Sequence, residues 1–255
     1  MLENRAEKIL RTLQKTFTSP KSTTSNRDPF KTLIVTIISQ NTAGKNTAKA
    51  FENLSKQFQI TPETLSNAET RKIEECLKVA GLYRNKAKTI KQVSKIIVKN
   101  SQGDLTQILS MPLEEARKAL LQLPGVGPKT ADIVLLFCAR KPTVPVDTHV
   151  DRVSKRLGLA PKNGNYEAIR KSLQKLYDPK DYLPIHILLI SLGRTHCKAR
   201  NPLCKQCPVN VLCPSRHVWD DKRLKHRKST AIFSLGQSTL SKMDSSRDAF
   251  KRFKI

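Results

Sequence analysis

The sequence predicts an all-α protein, and three observations carry that expectation. Apolar residues recur at helical spacing from one end of the chain to the other, strand-like alternation is scarce, and short proline- or glycine-marked breaks separate the helical stretches. Phe30, Leu33, Ile34, Ile37 and Ile38 follow the i, i+3, i+4, i+7, i+8 stripe, and Ile90, Val93, Ile96 and Ile97 repeat it more briefly. Residues 130–138, Thr-Ala-Asp-Ile-Val-Leu-Leu-Phe-Cys, are apolar on nearly every side, as expected of a helix in the middle of a domain. The stretch from Ile185 to Leu192 reads the same way and stops at Gly193, taken as a C-terminal cap. Ser19-Pro20, Gly81, Pro112, Pro142, Pro161 and Pro184 mark the breaks and suit helices joined by short loops. There is no internal repeat.

With 255 residues and 38% apolar content, the chain can bury a real core. Its 47 Lys and Arg against 21 Asp and Glu give +26, a charge that attracts polyanions and makes nucleic acid the leading partner class. The excess is not confined to a tail. Residues 216–255 hold a net +7, which leaves +19 on the rest, and with few apolar side chains they read as a mobile basic tail. No apolar stretch approaches the roughly 20 residues that span a bilayer, and the first residues hold no apolar signal core, so the expectation is an intracellular protein without a membrane partner. In a reducing compartment structural disulfides are unusual, and four of the six cysteines, crowded between 197 and 213, read as metal ligands.

The most informative segment is Leu123-Pro124-Gly125-Val126-Gly127-Pro128-Lys129-Thr130-Ala131. Gly125 and Gly127 allow backbone angles closed to other residues and a close approach to a ligand, and Pro128 pre-sets the first turn of a helix. Exposed N–H groups of the loop and the positive helix end would then hold a phosphate. Helix, tight Gly-x-Gly turn and helix make a helix-hairpin-helix, which grips the DNA backbone without reading its sequence. The plainer alternative is an ordinary glycine-capped turn. Eighteen residues beyond Lys129 comes Asp147, in Val144-Pro145-Val146-Asp147-Thr148-His149-Val150-Asp151-Arg152-Val153.

Together these two segments, with Ile38-Ser39-Gln40-Asn41-Thr42, Gly81-Leu82-Tyr83-Arg84-Asn85-Lys86-Ala87 and the cysteine cluster, resemble the endonuclease III family of helix-hairpin-helix DNA glycosylases. The resemblance runs from about residue 25 to residue 214. It implies that Lys129 attacks the sugar C1′ of a damaged nucleoside and that Asp147 supports the attack. An amine attacks only when neutral, and the positive helix end is expected to disfavour the Lys129 ammonium. The resulting imine makes β-elimination easy, so the enzyme should nick as well as excise. The duller readings are a phosphate-binding Lys129 and an Asp147 that only caps the helix from Thr148. Superfamily members that lack the lysine are generally limited to base removal by water, so Lys129 argues for the bifunctional branch.

A base must be flipped out of the duplex to be reached. By the same resemblance, Gln40 or Asn41 and Leu82 fill the gap in the stack; the alternative for Leu82 is a loop residue folded back into the core. Cys197, Cys204, Cys207 and Cys213 follow Cys-x6-Cys-x2-Cys-x5-Cys, one close pair flanked by single cysteines, whereas the commoner zinc pattern uses two pairs. The spacing matches endonuclease III relatives that hold a [4Fe-4S] cluster, which implies that ligation here. Lys198 and Arg200 on the tethered loop would then meet phosphates. Cys76 and Cys138 sit in apolar, helical surroundings and read as core residues.

The resemblance implies a six-helix barrel over 24–137, with the hairpin at about 113–137. Residues 1–23 plus 138–215 would form a cluster domain, and 216–255 the tail. The expected function is a bifunctional base-excision glycosylase with abasic-site lyase activity on oxidised pyrimidines. Alternatives are a thymine or uracil mismatch glycosylase and a non-catalytic DNA-binding relative. The expected partner is double-stranded DNA containing a damaged base or abasic site, the protein a DNA-associated monomer of the cytoplasm or nucleoid if prokaryotic.

Overall fold

A computed structural model describes residues 2–17 and 27–216, and among them there is no β-strand. The first helix, α1 (Leu2–Thr16), is amphipathic and buries Ala6, Ile9, Leu10 and Leu13. The second, α2 (Pro29–Ser39), starts where Asp28 accepts a hydrogen bond from the Lys31 N–H at 2.9 Å and Pro29 fixes the first turn. Its apolar stripe is buried as the spacing predicts. There follow α3 (Gly44–Gln57), α4 (Pro62–Asn67), α5 (Thr70–Leu77), α6 (Tyr83–Ser101), α7 (Thr106–Ser110) and α8 (Leu113–Leu121). They close around one hydrophobic core that includes Leu33, Ile34, Leu54, Leu65, Ile73, Ile90, Ile97 and Leu120. Cys76 and Cys138 pack against it partly buried, as the sequence suggests.

The next helix, α9 (Pro128–Ala139), is the one read as apolar all round, and the fold supplies the reason. Ala131, Val134 and Leu135 belong to the first core, whereas Leu136 belongs to a second. That second core is built by α1, α10 (Thr148–Leu157), α11 (Tyr166–Leu176) and α12 (Tyr182–Thr195), with Val144 and Val146 of the extended connection between α9 and α10. Beyond its exposed first turn, a helix shared by two cores has no face to give to water.

Gly193 is not the cap that the sequence suggested. Helix α12 runs on to Thr195, and Gly193 is buried inside it; a Cβ there would meet His149 Nδ1 at 2.9 Å and His149 Cβ at 3.0 Å. The glycine lets α10 approach α12 closely. No helix among the described residues is long and apolar enough to cross a membrane. The expected boundary at Thr24 and all but the first residue of the basic tail lie outside the described residues.

Candidate active site

The turn between α8 and α9 is held by its own backbone and by a neighbouring loop. Val126 is buried and its N–H donates to the Leu123 carbonyl at 3.1 Å, so this residue presents neither its side chain nor its N–H to a ligand. Gly125 sits at φ +71°, and a Cβ there would meet Thr89 Cγ2 at 2.5 Å, so angle and space both demand glycine. Gly127 differs from expectation. Its φ of −88° is open to any residue, and nothing lies within 4 Å of a Cβ placed there. What it contributes is a bare surface beside the start of α9, where the first N–H groups have no helical partner. Lys129 is exposed on that first turn.

Gln40 and Asn41 follow α2 and part company. Gln40 Nε2 donates to the Gly125 carbonyl at 2.9 Å and lies 3.4 Å from Thr130 Oγ1, which ties it to the hairpin. Asn41 is exposed, at φ +53°. Leu82, just before α6, is also left-handed at φ +48° and is 60% exposed, so it is not folded into the core. A left-handed leucine costs about 1–2 kcal/mol, a strain that persists only where the surroundings impose it.

Asp147 caps α10. Its Oδ1 accepts from the His149 N–H at 2.8 Å and the Val150 N–H at 2.7 Å, while Oδ2 has no partner among the described residues. The capping role therefore exists, and it leaves one carboxylate oxygen open. Behind Asp147 lies His186 of α12, buried, its Nδ1 at 2.9 Å from the Pro145 carbonyl and its ring edge-on to Phe137. A carbonyl only accepts, so the proton of the neutral ring is on Nδ1. Burial pushes the His186 pKa down; Asp147 opposes that shift and Lys129 adds to it. One buried imidazole thus feels the charges of both Lys129 and Asp147.

A folded-state histidine held neutral stabilises the fold above its unfolded pKa of ~6.5, and that contribution is lost as the pH falls below it. His149, whose pKa burial also lowers, acts in the same direction. Urea unfolding midpoints should therefore drop on acidification below about pH 6.5, and His186→Gln should flatten that drop. An unchanged slope in the variant would show that His186 does not titrate on unfolding.

Below Lys129 on α9, Asp132 is fully buried. It accepts from Arg117 Nε at 2.9 Å, Thr143 Oγ1 at 3.0 Å and Tyr166 Oη at 2.7 Å. Tyr166 Oη in turn accepts from the Val146 N–H at 3.3 Å, the residue before Asp147. Arg117 also pairs with Glu167, and Glu167 with Arg170. Burial works against the Arg117 charge, yet the Asp132 and Glu167 carboxylates outweigh it and push its pKa up. These groups bind the helix that carries Lys129 to the connection that carries Asp147. Sequence reading passed over Asp132, Tyr166 and His186; the only signal was an aspartate in an otherwise apolar helix.

Cys197, Cys204, Cys207 and Cys213 all line one small cavity under the end of α12. Burial pushes the Cys207 thiol up to about 11 and Cys213 upward, with Cys197 and Cys204 adding to both. Among the described residues no three His, Cys, Asp or Glu side chains converge closely enough for one metal ion. The four thiols frame a space instead. Arg156 holds the loop after Cys197 by donating to the Lys198 carbonyl at 2.7 Å and the Ala199 carbonyl at 3.1 Å. Lys198 and Arg200 are exposed on it.

Residues 34–179 match the model of the HhH-GPD superfamily base excision DNA repair proteins. Endonuclease III of Thermotoga maritima is 40% identical over 186 residues, 73% of this chain and 83% of that protein. Endonuclease III of Sulfolobus acidocaldarius is 36% identical over 201 residues, 78% of this chain and 88% of that protein. Among solved structures, a trapped endonuclease III–DNA covalent intermediate superposes with a TM-score of 0.75 at 30% identity, covering 87% of this chain and 98% of that one. A thermostable thymine-DNA glycosylase shares the fold at 22% identity, with a TM-score of 0.70 over 84% of this chain and 97% of that one.

Proposed function

Because the chain belongs to the HhH-GPD superfamily of base excision DNA repair proteins, and within it to the endonuclease III family, we propose that it is a bifunctional DNA glycosylase and abasic-site lyase acting on oxidised pyrimidines, with Lys129 as nucleophile. The observation that carries this reading is an exposed Lys129 on the first turn of α9 and an Asp147 whose Oδ2 has no partner among the described residues, on two elements tied together through Asp132 and Tyr166. The neutral Lys129 amine attacks C1′, the N–C1′ bond forms, and the base departs with the electrons of the glycosidic bond. A proton passes from Nζ to the ring oxygen O4′ as the C1′–O4′ bond breaks and the sugar opens to an imine. Loss of a C2′ proton then expels the 3′ phosphate, and hydrolysis of the imine frees the enzyme. Asp147 Oδ2 faces the positive charge that develops on the sugar. Gly127 and the first N–H groups of α9 hold a backbone phosphate, with Gly125 shaping the turn and Val126 anchoring it. Asn41 and Leu82, exposed and left-handed, enter the duplex, and Gln40 braces the hairpin from behind.

The same reading divides the chain into a six-helix barrel over 24–137 and a second domain from 1–23 and 138–215, with α9 shared between their cores. The four cysteines suit a [4Fe-4S] cluster, because a polynuclear centre fills the kind of space their thiols frame. Its contribution is to cross-link the loop so that Lys198 and Arg200 are aimed at phosphates. Purified protein should contain iron and sulfide in equal amounts. Cys207→Ser should lose the visible absorbance and weaken DNA binding by roughly 10-fold or more, as loss of positioned phosphate contacts does; a colourless wild type holding zinc would replace the cluster with a single ion.

Borohydride trapping on an abasic-site duplex tests the function, since reduction of the imine leaves a covalent protein–DNA adduct. No adduct with the intact protein would leave it a DNA-binding relative without lyase chemistry.

A further inference from the structure

Lys86, in the first turns of α6, is buried at 5% exposure, and no carboxylate pairs with it among the described residues. Its Nζ donates to Thr42 Oγ1 at 2.5 Å and to the Ala80 carbonyl at 3.0 Å. Thr42 Oγ1 itself lies 2.6 Å from the Ala80 carbonyl and 3.1 Å from the Gln40 carbonyl. One ammonium thus joins the loop after α2 to the loop before α6. Thr42 directly follows Asn41, and Ala80 stands two residues before Leu82, so the tie lies under both left-handed tips.

Stability does not explain this lysine. An ammonium buried without a counter-charge is costly, and an apolar chain of similar length there is often neutral or better for the fold. Burial lowers the Lys86 pKa accordingly. Nor would removing it orphan its partners, because Thr42 and the Ala80 carbonyl already bond to each other. What the ammonium adds is a fixed spacing between two loops and a positive charge beneath them, one that gains a partner when a polyanion arrives.

We propose that Lys86 is a positioning residue that yokes Asn41 and Leu82 into one wedge, so that both tips enter the duplex together and drive the damaged base out. This rests on the reading of Asn41 and Leu82 as the residues that enter the stack. Lys86 acts on eviction of the base and leaves the chemistry at Lys129 alone.

The test compares Lys86→Met, Leu82→Ala and the double variant, using the full chain. Base eviction is followed by the fluorescence of 2-aminopurine beside a lesion, excision by single-turnover kinetics, and the chemical step by borohydride trapping on a single-stranded abasic oligonucleotide, which needs no eviction. Lys86→Met should lose roughly 10- to 100-fold in excision rate, the scale of a misplaced constellation, together with the fluorescence change. Its melting temperature should be unchanged or higher and its trapping within a few-fold of wild type. The double variant should be no slower than Leu82→Ala. Thr42→Val should share the defect and Thr42→Ser should not. A wild-type excision rate in Lys86→Met, with Leu82→Ala slow, overturns the role of Lys86 alone. A wild-type rate in Leu82→Ala overturns the wedge and the proposal with it. A lower melting temperature with trapping lost in parallel makes Lys86 merely structural.

Discussion

Lys129→Gln should yield no borohydride-trapped adduct and should cut strand nicking by about 10³-fold or more, the scale on which enzymes lose activity with their nucleophile. The amide, one bond shorter than the lysine chain, can still hydrogen-bond a phosphate, but it cannot form an imine. Affinity for an abasic-site duplex should fall by only a few-fold, roughly the value of one phosphate contact. Lys129 is exposed on the first turn of α9 and makes no ion pair among the described residues, so its loss leaves no buried partner and the fold should be unaffected. Binding, nicking and trapping that decline together would make Lys129 the phosphate ligand of the plainer reading, whereas trapping lost alone makes it the nucleophile.

Asp132→Ala should have the largest effect on stability. Asp132 is fully buried and holds Arg117, Thr143 and Tyr166 at once. Removing it strands three donors, one of them a guanidinium whose remaining carboxylate partner, Glu167, is half-buried. Breaking a buried pair in this way costs about 3–5 kcal/mol, because the charge left behind keeps its desolvation penalty. In a chain of this size that corresponds to a fall in melting temperature of roughly 10 °C. Asp132→Asn retains acceptor and shape and should cost less. Both are measured by urea or thermal unfolding, and an Asp132→Ala protein as stable as wild type would show that the network contributes nothing. Excision should also fall at temperatures where the variant is folded, since Asp132 lies one turn below Lys129 while Tyr166 reaches the Val146 N–H beside Asp147.

The helices were legible in the sequence where the signal was local. The stripe from Phe30 to Ile38 and the apolar run from Thr130 to Cys138 both specify helices, because period 3.6 is a property of neighbouring residues. The start of α9 at Pro128 could be read for the same reason. Gly193 was misread because a glycine after an apolar run signals a cap only when nothing else needs the missing Cβ, and the need here comes from His149 on another helix. Gly127 was misread in a milder way: its backbone angle is ordinary, and its value lies in open space that no sequence displays.

The candidate site divides along the same line. Sequence alone determined that the protein is helical, that a glycine turn precedes Lys129, and that four cysteines fall within one short stretch, since each is a matter of residue type and spacing along the chain. Only the tertiary structure decided that Gln40 braces the hairpin while Asn41 and Leu82 stand free, that His186 is buried against the Pro145 carbonyl two residues before Asp147, and that Asp132 joins the supports of Lys129 and Asp147. The partners in those contacts are 85 residues apart for Gln40 and Gly125, 41 for His186 and Pro145, and 34 for Tyr166 and Asp132. At such separations no local pattern records a contact; packing of the two cores around α9 creates it.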